Sequence, residues 1–220
     1  MKKYIIFDMD GTLLDTELLM IHCWEKAAEK YGILGVADVC HECIGTNSAE
    51  TEHIFQKHYG QVFPISEIRE EVVSDFKTRV DAGPPLKPFA KEILQYLKST
   101  GFQIAVASST VSDMVKKELS AVGCLPYFDY IVGGDMASHG KPAPDIFLAA
   151  CKGLGCNPKE TLIVEDSFYG IQAAYAAGAI PLMVPDLIQP SFEIRKLCRG
   201  VFADLLEVQK YIEGLCTDYF

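Results

Sequence analysis

The sequence predicts an α/β protein, a parallel sheet flanked by helices, with a separate helical module inserted after the first strand. From residue 103 onward, apolar β-prone runs alternate with segments of helical periodicity, as in a parallel sheet covered on both faces. Residues 15–82 break that alternation and carry helical patterns with no convincing strand between them. The join AGPPLKP, Ala82 to Pro88, is rich in proline and glycine, as a stiff hinge would be. The expected division is therefore a sheet domain from 1–14 and 83–220, with a helical insertion from 15–82.

The elements follow in order. YIIF (Tyr4 to Phe7) is a short apolar run, read as a strand buried on both faces. TELLMIHCWEKAAEKYG, SAETEHIFQKHYG and ISEIREEVVSDFKTRV supply three helices of the insertion, and PFAKEILQYLKSTG leads back as a fourth helix. FQIAVAS is a strand, VSDMVKKELSAVG a helix closed by Gly123, and YFDYIVGG the next strand. PAPDIFLAACKGLG is a helix with proline near its start and Gly155 after it. TLIVED, FYGIQAAYAAG and AIPLMV continue as strand, helix and strand. SFEIRKLCRG and DLLEVQKYIEGL are helical, with a short strand near Val201.

A formal charge of −10 over 220 residues argues against nucleic acid or acidic membranes as general partners. No apolar run approaches the ~18 residues of a membrane span. Only four apolar residues follow Lys2 and Lys3 before Asp8, too few for a signal peptide, so a cytoplasmic protein is expected. The eight cysteines then read as reduced thiols, and CHEC (Cys40 to Cys43) as packing cysteines, with no second pair at zinc-site spacing.

The chemistry gathers after the strands. Asp8 and Asp10, two residues apart after the first strand, project the same way along an extended path. At ~4 Å and an effective dielectric near 20, such charges repel by about 4 kcal/mol, so a cation or a retained proton is called for. The second strand ends in Ser108, Ser109 and Thr110, the third is followed by Lys141 in GKPAPD, and the fourth ends in Glu165, Asp166 and Ser167. Ligands of open α/β sheets bind beyond the carboxyl ends of the strands, where all four clusters fall.

Asp8, Asp10, Glu165 and Asp166 sum to −4 and Lys141 adds +1. A bound Mg²⁺, suited to hard oxygen ligands, and a proton kept on Asp10 bring the total to zero. Such a set of donors stabilises the oxygens of a phosphoryl group in transfer. Each residue alone has an ordinary reading. Asp-Gly is a common turn, Ser-Ser-Thr and Glu-Asp-Ser suit helix caps, and a lone lysine is usually solvated. Their joint occurrence in this order argues for one site.

With DMDGT (8–12), SST (108–110), Lys141 in GKPAPDIF and EDS (165–167), the chain resembles the haloacid dehalogenase superfamily, in its phosphatase and β-phosphoglucomutase branch. The resemblance covers essentially the whole chain and implies strand order 5-4-1-2-3 with a small α-helical cap as the insertion. It implies Asp8 as nucleophile, forming an aspartyl-phosphate, and Asp10 as general acid and base. Ser108 and the Ser109 N–H would hold the phosphoryl group with help from Thr110, and Lys141 would bind that group and orient Asp8. Mg²⁺ would be held by Asp8, Asp166 and the Asp10 carbonyl, with Glu165 either a ligand or behind one. Gly11 would permit the turn that brings backbone amides to the phosphoryl oxygens.

The same resemblance makes the cap the selector of the leaving group, with Glu17, Met20, Trp24, Thr46, Asn47 and Glu52 as candidate contacts. Trp24 reads better as part of the cap core. β-Phosphoglucomutases carry an acid/base histidine where spacing places Met20; His22 lies about 200° around the helix from it. They also carry a cap arginine, and the stretch CIGTNSAET has none. Hydrolysis of a small phosphomonoester, by default a sugar phosphate, is therefore expected ahead of a phosphomutase. A phosphoacceptor switch of the receiver type lacks both Asp10 and a helical insertion, and an inactive interaction protein would not need every catalytic position filled.

Overall fold

In the computed structural model of the chain, residues 3–43, 48–60 and 63–217 are described. The chain divides into two compact units, Met1–Asp15 with Pro85–Phe220, and Thr16–Pro84.

The first unit is built on a parallel sheet of six strands: β1 (Lys3–Phe7), β2 (Phe102–Ala107), β3 (Tyr130–Val132), β4 (Thr161–Glu165), β5 (Ile180–Met183) and β6 (Gly200–Val201). Their order is β3-β2-β1-β4-β5-β6. This is the expected order 5-4-1-2-3 with the two-residue β6 added outside β5. β3 is shorter than the run YFDYIVGG suggested, because Leu125–Tyr127 turns in a 3₁₀ helix and only three residues reach the ladder.

Side chains alternate across β1, and that alternation builds two apolar layers. Ile5 and Phe7 join Ile104, Val106 and Val164 under α5 (Ala90–Ser99), α6 (Ser112–Ala121) and α10 (Leu205–Thr217), through Ile93, Leu97, Leu119 and Val208. Ile6 faces the other way, with Ala105, Ala107 and Ile163, under α7 (Asp145–Leu154) and α8 (Phe168–Ala176), through Phe147, Ala150 and Ala174. Full burial of such side chains contributes roughly 1.5–3 kcal/mol each. α9 (Phe192–Leu197) packs Ile194 beside Met183 of β5 and Ile171 of α8. With Phe7 paired to Val106 and to Val164, the residues that follow, Asp8, Ala107 and Glu165, stand at one level, with Ala107 still paired to Val132 and Glu165 to Met183.

The second unit contains α1 (Thr16–Glu29), α2 (Val36–Cys43), α3 (Ser48–Tyr59) and α4 (Ile65–Asp81). α2 was absent from the three helices expected here. Its eight residues, VADVCHEC, are too few and too rich in valine for a clear periodic signal, and burial of Val36, Val39 and Cys40 holds it. Trp24 is buried and lies 4.7 Å from Phe55, which in turn lies 5.5 Å from Phe63. Trp24 is a core residue of this unit.

Cys23, Cys40, Cys43, Cys124, Cys151, Cys156 and Cys198 are free thiols. No helix of the described residues is long and apolar enough to cross a membrane.

Candidate active site

Asp8, Ser108, Lys141, Glu165 and Asp166 come together at the carboxyl edge of the sheet. The Asp8 N–H still donates to the Val164 carbonyl at 2.9 Å, so the end of β1 is fixed against β4 before the chain turns. The turn is closed by Leu13 and Leu14, whose N–H groups both donate to the Met9 carbonyl. Gly11 sits at φ 81°, and a Cβ there would strike the Asp166 carboxylate. Glycine is thus required twice, for the left-handed backbone and for the space. Thr12 Oγ1 donates to Asp166 Oδ1 at 2.9 Å and orients that carboxylate.

Lys141 is the cation of the site. Its Nζ donates to Asp8 Oδ1 and, at 2.7 Å, to Glu165 Oε1, with side-chain exposures of 9% for Lys141 and 1% for Glu165. Burial opposes the lysine's charge, but Asp8 and Glu165 outweigh it and hold its pKa above the ordinary value. The other Glu165 oxygen accepts from the Ser167 N–H at 2.6 Å, so both oxygens have partners on the chain. Ser167 Oγ caps α8 by accepting from the Gly170 N–H at 3.0 Å. A Cβ on Gly170 would occupy the Glu165 carboxylate, so α8 approaches the site only because this residue is glycine.

Asp10 has partners of its own. Its Oδ2 accepts from Ser108 Oγ at 3.1 Å and Thr110 Oγ1 at 3.0 Å, while Ser108 Oγ accepts from the Thr110 N–H. Ser109 is exposed beside them. The two acids of the first loop therefore meet different neighbours, a lysine for Asp8 and hydroxyls for Asp10.

Asp8, Glu165 and Asp166 present carboxylate oxygens all within 4.8 Å of one another, an arrangement that suits a hard divalent cation. Burial, then neighbouring carboxylates, push Asp8 and Asp166 above the ordinary carboxylate range, so the cluster is short of positive charge. The Asp10 carboxylate lies outside this group; the sequence expectation had assigned the metal to its backbone carbonyl.

The other expected residues belong to the second unit. Glu17 is exposed and Met20 half-buried, both on α1. Glu52, on α3, accepts from Gln56 Nε2 at 3.2 Å. Thr46 and Asn47 lie outside the described residues. All five histidines are exposed. Sequence reasoning overlooked Gly170, whose signal was only its place five residues beyond Glu165.

A family model described as haloacid dehalogenase-like hydrolase matches residues 5–184. A phosphorylated carbohydrates phosphatase of Thermotoga maritima is 30% identical over 79% of this chain and 81% of its own length. The fructose-1-phosphate phosphatase of Escherichia coli is 32% identical, over 79% of this chain and 92% of its own. Among solved structures, CbbY of Rhodobacter sphaeroides in complex with phosphate superposes with a TM-score of 0.69 at 27% identity, covering 93% of this chain and 95% of that one. The chain belongs to the haloacid dehalogenase-like hydrolase family, in the branch of phosphatases and phosphomutases.

Proposed function

We propose that the chain is a Mg²⁺-dependent phosphatase that hydrolyses a small phosphomonoester, a sugar phosphate by class, through an aspartyl-phosphate on Asp8. Its enzyme class is phosphoric monoester hydrolase. The observation that carries the reading is that the two acids have different partners: Lys141 bonds Asp8, while Ser108 and Thr110 bond Asp10. Lys141 orients one carboxylate as the nucleophile and opposes the burial that raises its pKa. The other is held where a protonated acid can serve a leaving group.

An Asp8 oxygen attacks phosphorus and the bond from phosphorus to the leaving oxygen breaks. Asp10 gives its proton to that oxygen, then takes one from the water that attacks the acyl phosphate. This second step breaks the bond between phosphorus and Asp8 and frees inorganic phosphate. Ser108 Oγ, the Ser109 N–H and Lys141 hold the transferring oxygens in both steps. Asp8, Asp166 and the Asp10 carbonyl would hold Mg²⁺, with Glu165 beside them; when bound, the ion supplies the charge that this carboxylate group lacks. The helical unit acts as the cap, with Glu17 and Met20 as leaving-group contacts, together with Thr46 and Asn47. The sugar phosphate class rests on the two relatives named for phosphorylated carbohydrates.

The test is hydrolysis of p-nitrophenyl phosphate by the full chain with Mg²⁺ and with chelator. Asp8→Asn is expected to lower the rate at least about a thousandfold. An active variant would refute the nucleophile. A screen of sugar phosphates should release phosphate; accumulation of an isomer without phosphate would make the enzyme a phosphomutase.

A further inference from the structure

The loop that carries Ser108, Ser109 and Thr110 rests on a stretch no motif includes, Gly133–Gly134–Asp135, just beyond β3. The Gly134 N–H donates to the Thr110 carbonyl at 2.9 Å. Asp135 Oδ1 accepts from both the N–H and the Oγ of Ser112, each at 2.7 Å. A Cβ on Gly133 would overlap the Ser112 nitrogen, and one on Gly134 the Ser109 carbonyl. The two segments thus pack backbone against backbone with no slack.

Ser112 opens α6, and the residue before it, Val111, has no side chain able to cap the helix. Asp135 supplies that cap from a different loop. The two Ser112 bonds hold the Asp135 carboxyl below the usual carboxylate range, which keeps the acceptor ionised at neutral pH.

We infer that Asp135 is a positioning residue for phosphoryl binding: acting through Ser112, it fixes the 108–112 loop so that Ser108 Oγ and the Ser109 N–H converge on the same oxygens. This rests on the phosphatase reading above. A competing effect has the opposite sign, because an anion at the start of α6 also repels a phosphate. If fixing the loop dominates, removing Asp135 weakens anion binding; if repulsion dominates, it tightens it.

Orthovanadate inhibition of aryl phosphate hydrolysis separates the two. Asp135→Ala should raise the inhibition constant about tenfold, and Asp135→Asn, which keeps an acceptor oxygen without the charge, should bring it back to within about threefold of wild type. The Mg²⁺ concentration for half-maximal activity should stay within about twofold, since the cation's residues are untouched. A merely structural role would lower the melting temperature and leave the inhibition constant unchanged. Should Asp135→Ala fail to fold, Asp135→Glu, which shifts the acceptor by one methylene, is read for the same loss. An unchanged constant, or tighter inhibition in the Ala or Asn variant, overturns the inference and leaves the phosphatase reading standing. A wild type that neither hydrolyses phosphate esters nor responds to vanadate brings down both.

Discussion

The crowded carboxylates at the strand ends and those on the surface of the helical unit are perturbed in opposite directions. In the sheet unit, burial lifts Asp8 and Asp166, and neighbouring acids add to it. In the helical unit, hydrogen bonds from Lys26 and Lys30 draw Asp75 and Glu71 down. Lys26 and Asp75 expose 55% and 26% of their side chains, whereas Lys141 exposes 9% and Glu165 1%. Charges on the helical surface pair where water would have served nearly as well. At the strand ends acids are packed together in spite of burial and of one another, an arrangement that folding alone does not favour. Charge held at a cost marks the reacting centre, and charge at ease marks the scaffold.

The comparison breaks most visibly at Lys141. Lys141→Ala leaves Asp8 and Glu165 facing each other without the group both contact. Under the proposed function it also removes a donor to the transferring oxygens, an effect typically worth a hundred- to a thousandfold in turnover. We expect kcat/KM for p-nitrophenyl phosphate to fall by about a thousandfold while the helical unit keeps its circular dichroism. A Lys141→Ala enzyme near wild-type rate would place the reacting centre elsewhere.

How far this contrast could be read beforehand follows from where each signal lies in the chain. DMDGT is a local pattern after an apolar strand, and strand alternation makes Asp8 and Asp10 neighbours without any tertiary knowledge. Lys141 was legible only through its place in the order of strands, because nothing local distinguishes it from a surface lysine. Asp135 was not legible, since an aspartate in a glycine-rich loop reads as turn chemistry and its partner, Ser112, is 23 residues away. α2 was lost for the converse reason: its stability comes from buried contacts, not from propensity. Gly170 reads in the sequence as an ordinary helix glycine, and Gly11 as the residue that permits a turn toward the phosphoryl oxygens; the carboxylates packed against both are visible only in the fold.

Those glycines give a second, smaller test. Gly170 has an ordinary backbone, so Gly170→Ala costs only space, and the space belongs to the Glu165 carboxylate. Overpacking of this kind typically costs about 1–3 kcal/mol, here a fall of several °C in melting temperature, and displaces Glu165 from Lys141. Gly32, in the helical unit, has φ 67° and open space around it. Gly32→Ala should cost about 1 kcal/mol of backbone strain and leave phosphatase activity unchanged. Equal losses of activity in the two variants would show that the units do not differ as their charges suggest.

The smallest effect is expected at the Lys26–Asp75 pair, which links α1 to α4 at 2.8 Å. Arg79 bonds the second Asp75 oxygen at 2.9 Å, so loss of Lys26 leaves the carboxylate partnered. Exposed pairs are worth a few tenths of a kcal/mol, and Lys26→Ala should shift the melting temperature by no more than about 1 °C. The sign with pH follows from the lowered Asp75 pKa. Stability from a depressed carboxyl is complete above its unfolded value, 3.8, and fades as pH falls through the lower folded value. The gap between wild type and Lys26→Ala should therefore be constant from pH 5 to 7, begin to close near the unfolded value of 3.8 and vanish below the lower folded value. A gap that grows on acidification would mean that Lys26 supports the fold through its methylene stem rather than its charge.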